Sequence, residues 1–240
     1  MLAATHAGFR AVFEDLGLDY YCAGNLTLDD AAQGAGLDPD DVRSAMQRVV
    51  EKDPGPNWID RPLHELTDRL DREHHQLLRS SVFQTAVLLD DALSLHGESC
   101  AGALRHNFRI FSETLLQHIE LEEMSLFPVA ASIDDAWSKD EPILANQHDI
   151  RRLIGELTLE HGRVIEKLNV VTAELPAFES IPDDVCRKII KNIRAIERHL
   201  HAYFNLESSI VFPRVIALLD EQLPKPFKTF EPGVERWGIS

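Results

Sequence analysis

One block of the chain is written twice. The stretch from His118 to Pro128 reads HIELEEMSLFP, and the stretch from Tyr203 to Pro213 reads YFNLESSIVFP, with Leu, Glu, Phe and Pro at matching offsets. The offset between the blocks is 85 residues, and His75 and His161 stand 86 apart. A repeat that long spans two structural elements and their connection. It predicts two similar halves related by an approximate two-fold axis.

The segments around the blocks have helical periodicity, and no stretch reads as a strand. The first begins at Pro62, a favoured early helical position, and stops near Gly97. The second is predicted from about Ser99 to Pro128 and the third from near Pro142 to just before Pro176. The fourth opens at Ser180-Ile181-Pro182-Asp183, reaches Pro213 and continues, kinked, towards Leu219. Short connections between long helices favour antiparallel neighbours, so the expected fold is all-α, an up-down-up-down four-helix bundle. The second helix places Leu104, Phe108, Phe111, Leu115, His118, Glu122 and Ser125 on one face. The third places Ile154, Leu157, His161, Val164, Leu168 and Val171, and the fourth Ile193, Ile196, Leu200, Tyr203, Glu207 and Ile210.

Besides the small Ser125, five members of these apolar stripes are polar: His118, Glu122, His161, Tyr203 and Glu207. A buried carboxylate is costly, and two facing each other cost more, because each disfavours the other's ionisation. Cations between them remove that cost. Residues four apart on a helix lie one above the other, so His118 and Glu122 can offer a nitrogen and an oxygen to one metal pair. Imidazole and carboxylate donors inside a four-helix bundle suit two iron or manganese ions. The expected ligands are His118, Glu122, His161, Tyr203 and Glu207, with the glutamates bridging, plus one first-helix histidine. The stripe Leu63, Leu66, Leu70 points to His74, whereas Leu78, Val82 and Leu89 point back to His75. His199 and His201 lie close to Tyr203 in sequence as alternative donors, and His148 and His96 are available as outer partners.

The run Lys52-Asp-Pro-Gly-Pro-Asn57 interrupts any helix and divides the chain. The expected organisation is a small helical module over residues 1–53 carrying Cys22, a linker at 54–61, the bundle at 62–220 and a tail at 221–240. A formal net charge of -16 argues against nucleic acid as partner. That holds despite a helix-turn-helix look between Thr27 and Val50. No apolar run approaches the ~20 residues of a membrane span, and Met1 to Arg10 lacks the pattern of a signal peptide. Cys22, Cys100 and Cys186 are odd in number and far apart, which suits reduced thiols and a cytoplasmic location.

These residues resemble a known family. The blocks ending in Leu126-Phe127-Pro128 and Val211-Phe212-Pro213 are similar to the hemerythrin-type cation-binding domain. The stretch from Leu18 to Ala32, LDYYCAGNLTLDDAA, is similar to the short N-terminal domain of the repair-of-iron-centres di-iron proteins. The resemblance runs from about Phe9 to Pro213. It selects His75 over His74, because the family's first-helix motif is His followed by Leu-Arg three and four later, here Leu78-Arg79. It implies two non-haem irons with oxo or hydroxo and carboxylate bridges, held by His75, His118, Glu122, His161, Glu207 and the residue at position 203. It also implies a role in nitrosative and oxidative stress, restoring damaged iron-sulfur clusters, with O2 or NO as small-molecule partner and damaged iron-sulfur proteins as clients. Two positions depart from the family. Tyr21-Cys22-Ala23-Gly24 replaces a pair of adjacent cysteines, and Tyr203 replaces the fourth-helix histidine.

Three functional expectations follow. The first is redox chemistry by a di-iron oxidoreductase acting on damaged iron centres or nitric oxide. The second is a di-iron oxidase or oxygenase using O2 on an organic substrate. The third is an O2- or NO-binding or sensing module without turnover.

Overall fold

The computed structural model describes residues 9, 12–13, 15–18, 27–52, 61–143 and 146–220. Cys22, most of the 54–61 stretch and the 221–240 tail lie outside the described residues. The described chain is all-α, and four long helices form a bundle.

Ahead of the bundle, α1 (Leu28–Gly34) and α2 (Pro39–Lys52) form a helix pair. The Thr27 side chain caps α1 by accepting from the Asp30 N–H, and Gly36, at φ 72°, turns the chain towards α2. Phe13, Leu18, Ala32, Val42 and Met46 make a small core of their own.

Each long helix earns its place by its apolar stripe. Helix α3 comprises Leu63–Arg69, a π-helical turn Leu70–His75, and Gln76–His96. Helix α4 comprises Glu98–Leu121, a π turn Glu122–Leu126, and Phe127–Ser138. Helix α5 is Gln147–Ala173, capped by Asn146, and a short α6 (Leu175–Glu179) follows. Helix α7 comprises Asp184–Leu206, a π turn Glu207–Val211, and Phe212–Asp220. Around the bundle α3 packs on α4, α4 on α5, and α7 on both α3 and α5, which is the up-down-up-down circuit. Every predicted stripe residue of α7 is buried. By length and composition α7 could cross a membrane, but Ile189, Ile193, Ile196 and Leu200 spend its apolar face inside the bundle core.

The sequence placed the end of the second helix at Pro128, yet α4 runs on to Ser138. The preceding π turn explains this. The Phe127 N–H reaches back five residues to the Glu122 carbonyl, and the Phe212 N–H reaches the Glu207 carbonyl in the same way. The widened turn lets Pro128 and Pro213, which lack the N–H and would crowd the carbonyl four back, sit inside a continuing helix. It also shifts the inward face, so that Leu126 is buried where the stripe had named Ser125. The third helix starts five residues later than expected, at Gln147, because Asn146 supplies the cap and Pro142 lies in an irregular stretch.

Candidate metal centre

All six residues expected to meet do meet, at mid-bundle. His75, Glu122, Tyr203 and Glu207 are wholly buried, and His118 and His161 nearly so. The two oxygens of Glu122 face different neighbours. Oε1 lies 2.9 Å from His118 Nε2 and 3.8 Å from His161 Nε2. Oε2 lies 3.2 Å from His75 Nε2 and accepts from the Tyr203 hydroxyl. That hydroxyl is also 3.0 Å from His75 Nε2 and 3.5 Å from His118 Nε2. Glu207 completes the set, with Oε2 3.0 Å from His161 Nε2.

Several polar atoms in the pocket have no hydrogen bond. Glu122 Oε1, Glu207 Oε1 and His118 Nδ1 are buried without one, although Glu122 Oε1 sits within reach of two imidazoles. Buried polar groups are ordinarily paired, and an orphan there costs about 1–3 kcal/mol. Donors from His118, Glu122, His161 and Glu207 all lie within 4.8 Å of one another and can hold a metal ion.

The electrostatics agree. Burial pushes the Glu122 carboxyl up, but contacts with His118, His161 and His75 outweigh it and hold the group well below the usual carboxylate range. Glu207 goes the other way: burial and the neighbouring Glu122 charge raise it well above that range. Burial, then the charges of Glu122 and Glu207, push the Tyr203 phenol well above 10. Burial lowers His161. Without added positive charge, the pocket therefore favours one carboxylate anion over two and disfavours the phenolate.

The alternative histidines lie elsewhere. His74 is buried, but its ring stacks on Tyr203 with centroids 5.6 Å apart and lies 4.7 Å from the ring of His199. His199 Nε2 bonds the Glu73 carbonyl at 3.0 Å. His96 sits far from the pocket at the end of α3. His148 is exposed at the start of α5.

Residues that sequence reasoning did not single out frame the donors. Glu123 accepts from His75 Nδ1 at 2.9 Å and is held by Arg79 through two bonds of 2.6 and 2.9 Å. The pair with Arg79 keeps the Glu123 carboxyl below its ordinary range. A carboxylate on Nδ1 fixes the tautomer that leaves Nε2 as a donor to the pocket. The matching position in the second half is Ser208, so the two halves differ in this support as well as at His118 and Tyr203. Phe204 stacks on His161 at 3.8 Å and meets His118 edge-on at 5.2 Å. In the sequence the neighbouring Glu122 masked Glu123. Nothing in the sequence marked Phe204 off from a core aromatic.

Residues 1–50 match the ScdA_N family, a domain of unknown function (DUF542). The iron-sulfur cluster repair protein YtfE of Musicola paradisiaca is 24% identical over 216 residues, covering 86% of this chain and 90% of that protein. Its counterpart from Escherichia coli O81 is 23% identical over 213 residues, with the same coverage. The chain is a relative of the iron-sulfur cluster repair proteins. The similarity covers most of the chain, and the buried His and Glu group at mid-bundle can hold a metal ion.

Proposed function

We propose that this chain is a cytoplasmic non-haem di-iron protein that serves in iron-sulfur cluster repair under nitrosative or oxidative stress. One observation carries the metal count: the two oxygens of the buried Glu122 face two separate donor sets. His118 and His161 stand on the Oε1 side, and His75 and Tyr203 on the Oε2 side. A carboxylate with a different nitrogen or oxygen set at each oxygen is a bridge in waiting. Glu207, with its Oε1 unbonded, would be the second carboxylate to hold the metal.

The ligands are then His75, His118, Glu122, His161, Tyr203 and Glu207. Two irons, when bound, supply one-electron redox chemistry and positions for a diatomic such as NO or O2. The chain's own contribution is to exclude water, hold the donors rigid and make the two sides unequal. Tyr203 is a hard anionic donor once deprotonated and would favour the ferric state on the Oε2 side, whereas its counterpart His118 is a neutral donor on the Oε1 side. Kinship with repair proteins over most of the chain supports the repair reading over an oxidase or a passive sensor. Damaged iron-sulfur proteins are the clients.

The test is metal content and optical spectrum of the full chain purified without added metal from iron-replete cells. Two irons per chain, falling to one or none in Glu122→Ala, are expected. The repair arm uses an iron-sulfur enzyme inactivated by nitric oxide: its activity should return with the iron-loaded chain and not with Glu122→Ala. Zinc alone, or full iron in the variant, overturns the assignment.

A further inference from the structure

A second donor cluster lies at the end of the bundle where α3 finishes and α7 begins. His96 is the last residue of α3, and Gly97, at φ 79°, turns the chain immediately after it. Asp183 caps α7, and Cys186 stands in that helix's first turn. The distance from the mid-bundle pocket is ~30 Å, since His96 is 21 residues past His75 and Asp183 is 20 before Tyr203, at 1.5 Å per residue.

The Asp183 carboxylate is divided between two tasks. Oδ1 accepts from the Val185 N–H at 3.2 Å and caps the helix, while Oδ2 lies 2.7 Å from His96 Nε2. Capping needs only the first oxygen. The Cys186 side chain is wholly buried against the same spot. A nitrogen of His96, an oxygen of Asp183 and the Cys186 sulfur all lie within 4.8 Å of one another. His96 and Asp183 are about a quarter exposed, which opens the cluster to solvent on one side.

We infer that His96, Asp183 and Cys186 form a second metal site, for a single divalent cation of borderline softness such as zinc. The donor set decides the class. One thiolate, one imidazole and one carboxylate are a zinc-type combination, and the hard-cation alternatives take oxygen alone. Zinc bonds of ~2.0–2.3 Å in a tetrahedron put donors ~3.5 Å apart, so the three groups need to move only modestly to close on an ion. The exposed side takes water as fourth ligand. Binding exchanges the thiol proton for the metal. Such an ion would staple the end of α3 to the start of α7, two helices that the chain joins only through the whole α4–α5 hairpin.

Cobalt(II) is the probe, because a thiolate on cobalt gives a near-ultraviolet charge-transfer band that no donor of the mid-bundle pocket can supply as sulfur. The full chain carrying Cys22→Ser and Cys100→Ser is titrated with cobalt(II) alone, so that Cys186 is the remaining thiol. The expected result is a saturable charge-transfer band whose plateau corresponds to one cobalt–thiolate bond per chain, whatever cobalt the mid-bundle pocket also takes up. It should be abolished by a further Cys186→Ser and shifted to at least about tenfold weaker binding by His96→Gln, a loss already typical of removing an outer partner. The His96→Gln variant keeps every thiol and tests the site without opening the core. Absence of the band in the parent chain, its survival in Cys186→Ser, or unchanged affinity in His96→Gln each overturns the site.

Discussion

The imidazole of His75 lies flat on the ring of Phe127, with centroids 5.3 Å apart and planes 10° from parallel. His161 and Phe212 repeat the contact in the other half, at 5.6 Å and 19°. Each histidine also meets its own half's glutamate, His75 to Glu122 at 3.2 Å and His161 to Glu207 at 3.0 Å. The two-fold relation written into the sequence thus survives down to individual rings. Phe212 is almost fully buried, so Phe212→Ala should cost about 3–5 kcal/mol of unfolding free energy. Met124→Ser on the exposed face of α4 should stay within about 0.5 kcal/mol. Denaturant unfolding of both variants checks the contrast.

Tyr203 is where the symmetry breaks, because its partner in the first block is His118. If the phenolate binds ferric iron, the iron-loaded protein absorbs in the visible through phenolate-to-iron charge transfer. Tyr203→Phe should lose that band while retaining helical circular dichroism. An unchanged visible spectrum in the variant removes Tyr203 from the ligand set.

Glu123 orients His75 without belonging to the pocket. Glu123→Gln should weaken metal binding by about 10–100-fold on the His75 side and leave the His161 side nearly intact. Iron titration should then resolve two unequal affinities. A uniform loss at both positions would assign Glu123 to general stability instead.

The same residue gives a pH signature. Its folded-state pKa is depressed, chiefly by Arg79. Its contribution is therefore complete above the unfolded carboxyl value, near 4.3, and is lost as pH falls through the lower folded value. In metal-free protein, the gap in melting temperature between the parent and Glu123→Gln should be constant near neutrality and close progressively in acid. A gap that widens on acidification would contradict the sign.

The fold was legible because helical periodicity and buried polar residues are carried locally. His118, Glu122, His161, Tyr203 and Glu207 stand out as polar entries on apolar stripes, and the structure brings all five together with His75. The choice between His74 and His75 was not legible from periodicity, because the π turn Leu70–His75 shifts the phase of the helix between the two stripes used to extrapolate. Pro128 misled for the same reason: a proline stops an α-helix, but a widened turn accommodates it. Glu123 was hidden by its neighbour, since one carboxylate of an adjacent pair must face away from Glu122, and only the placement of Arg79 shows that this one is recruited.

The three π turns also set how this bundle can vary. Each contains one residue more than the same length of α-helix, and each ends or begins at a donor: His75, Glu122 and Glu207. Deleting a single residue within one of them would restore regular α geometry without shortening any loop. Everything beyond it would keep its phase, because the extra residue is what the widened turn takes up, whereas the same deletion in a regular stretch of helix would turn everything beyond it by about 100° and carry Phe127 or Phe212 off its histidine. A single-residue length change is therefore absorbed in phase at these three points and barred in the regular helix between them, where it would break the centre even with every donor still in the sequence.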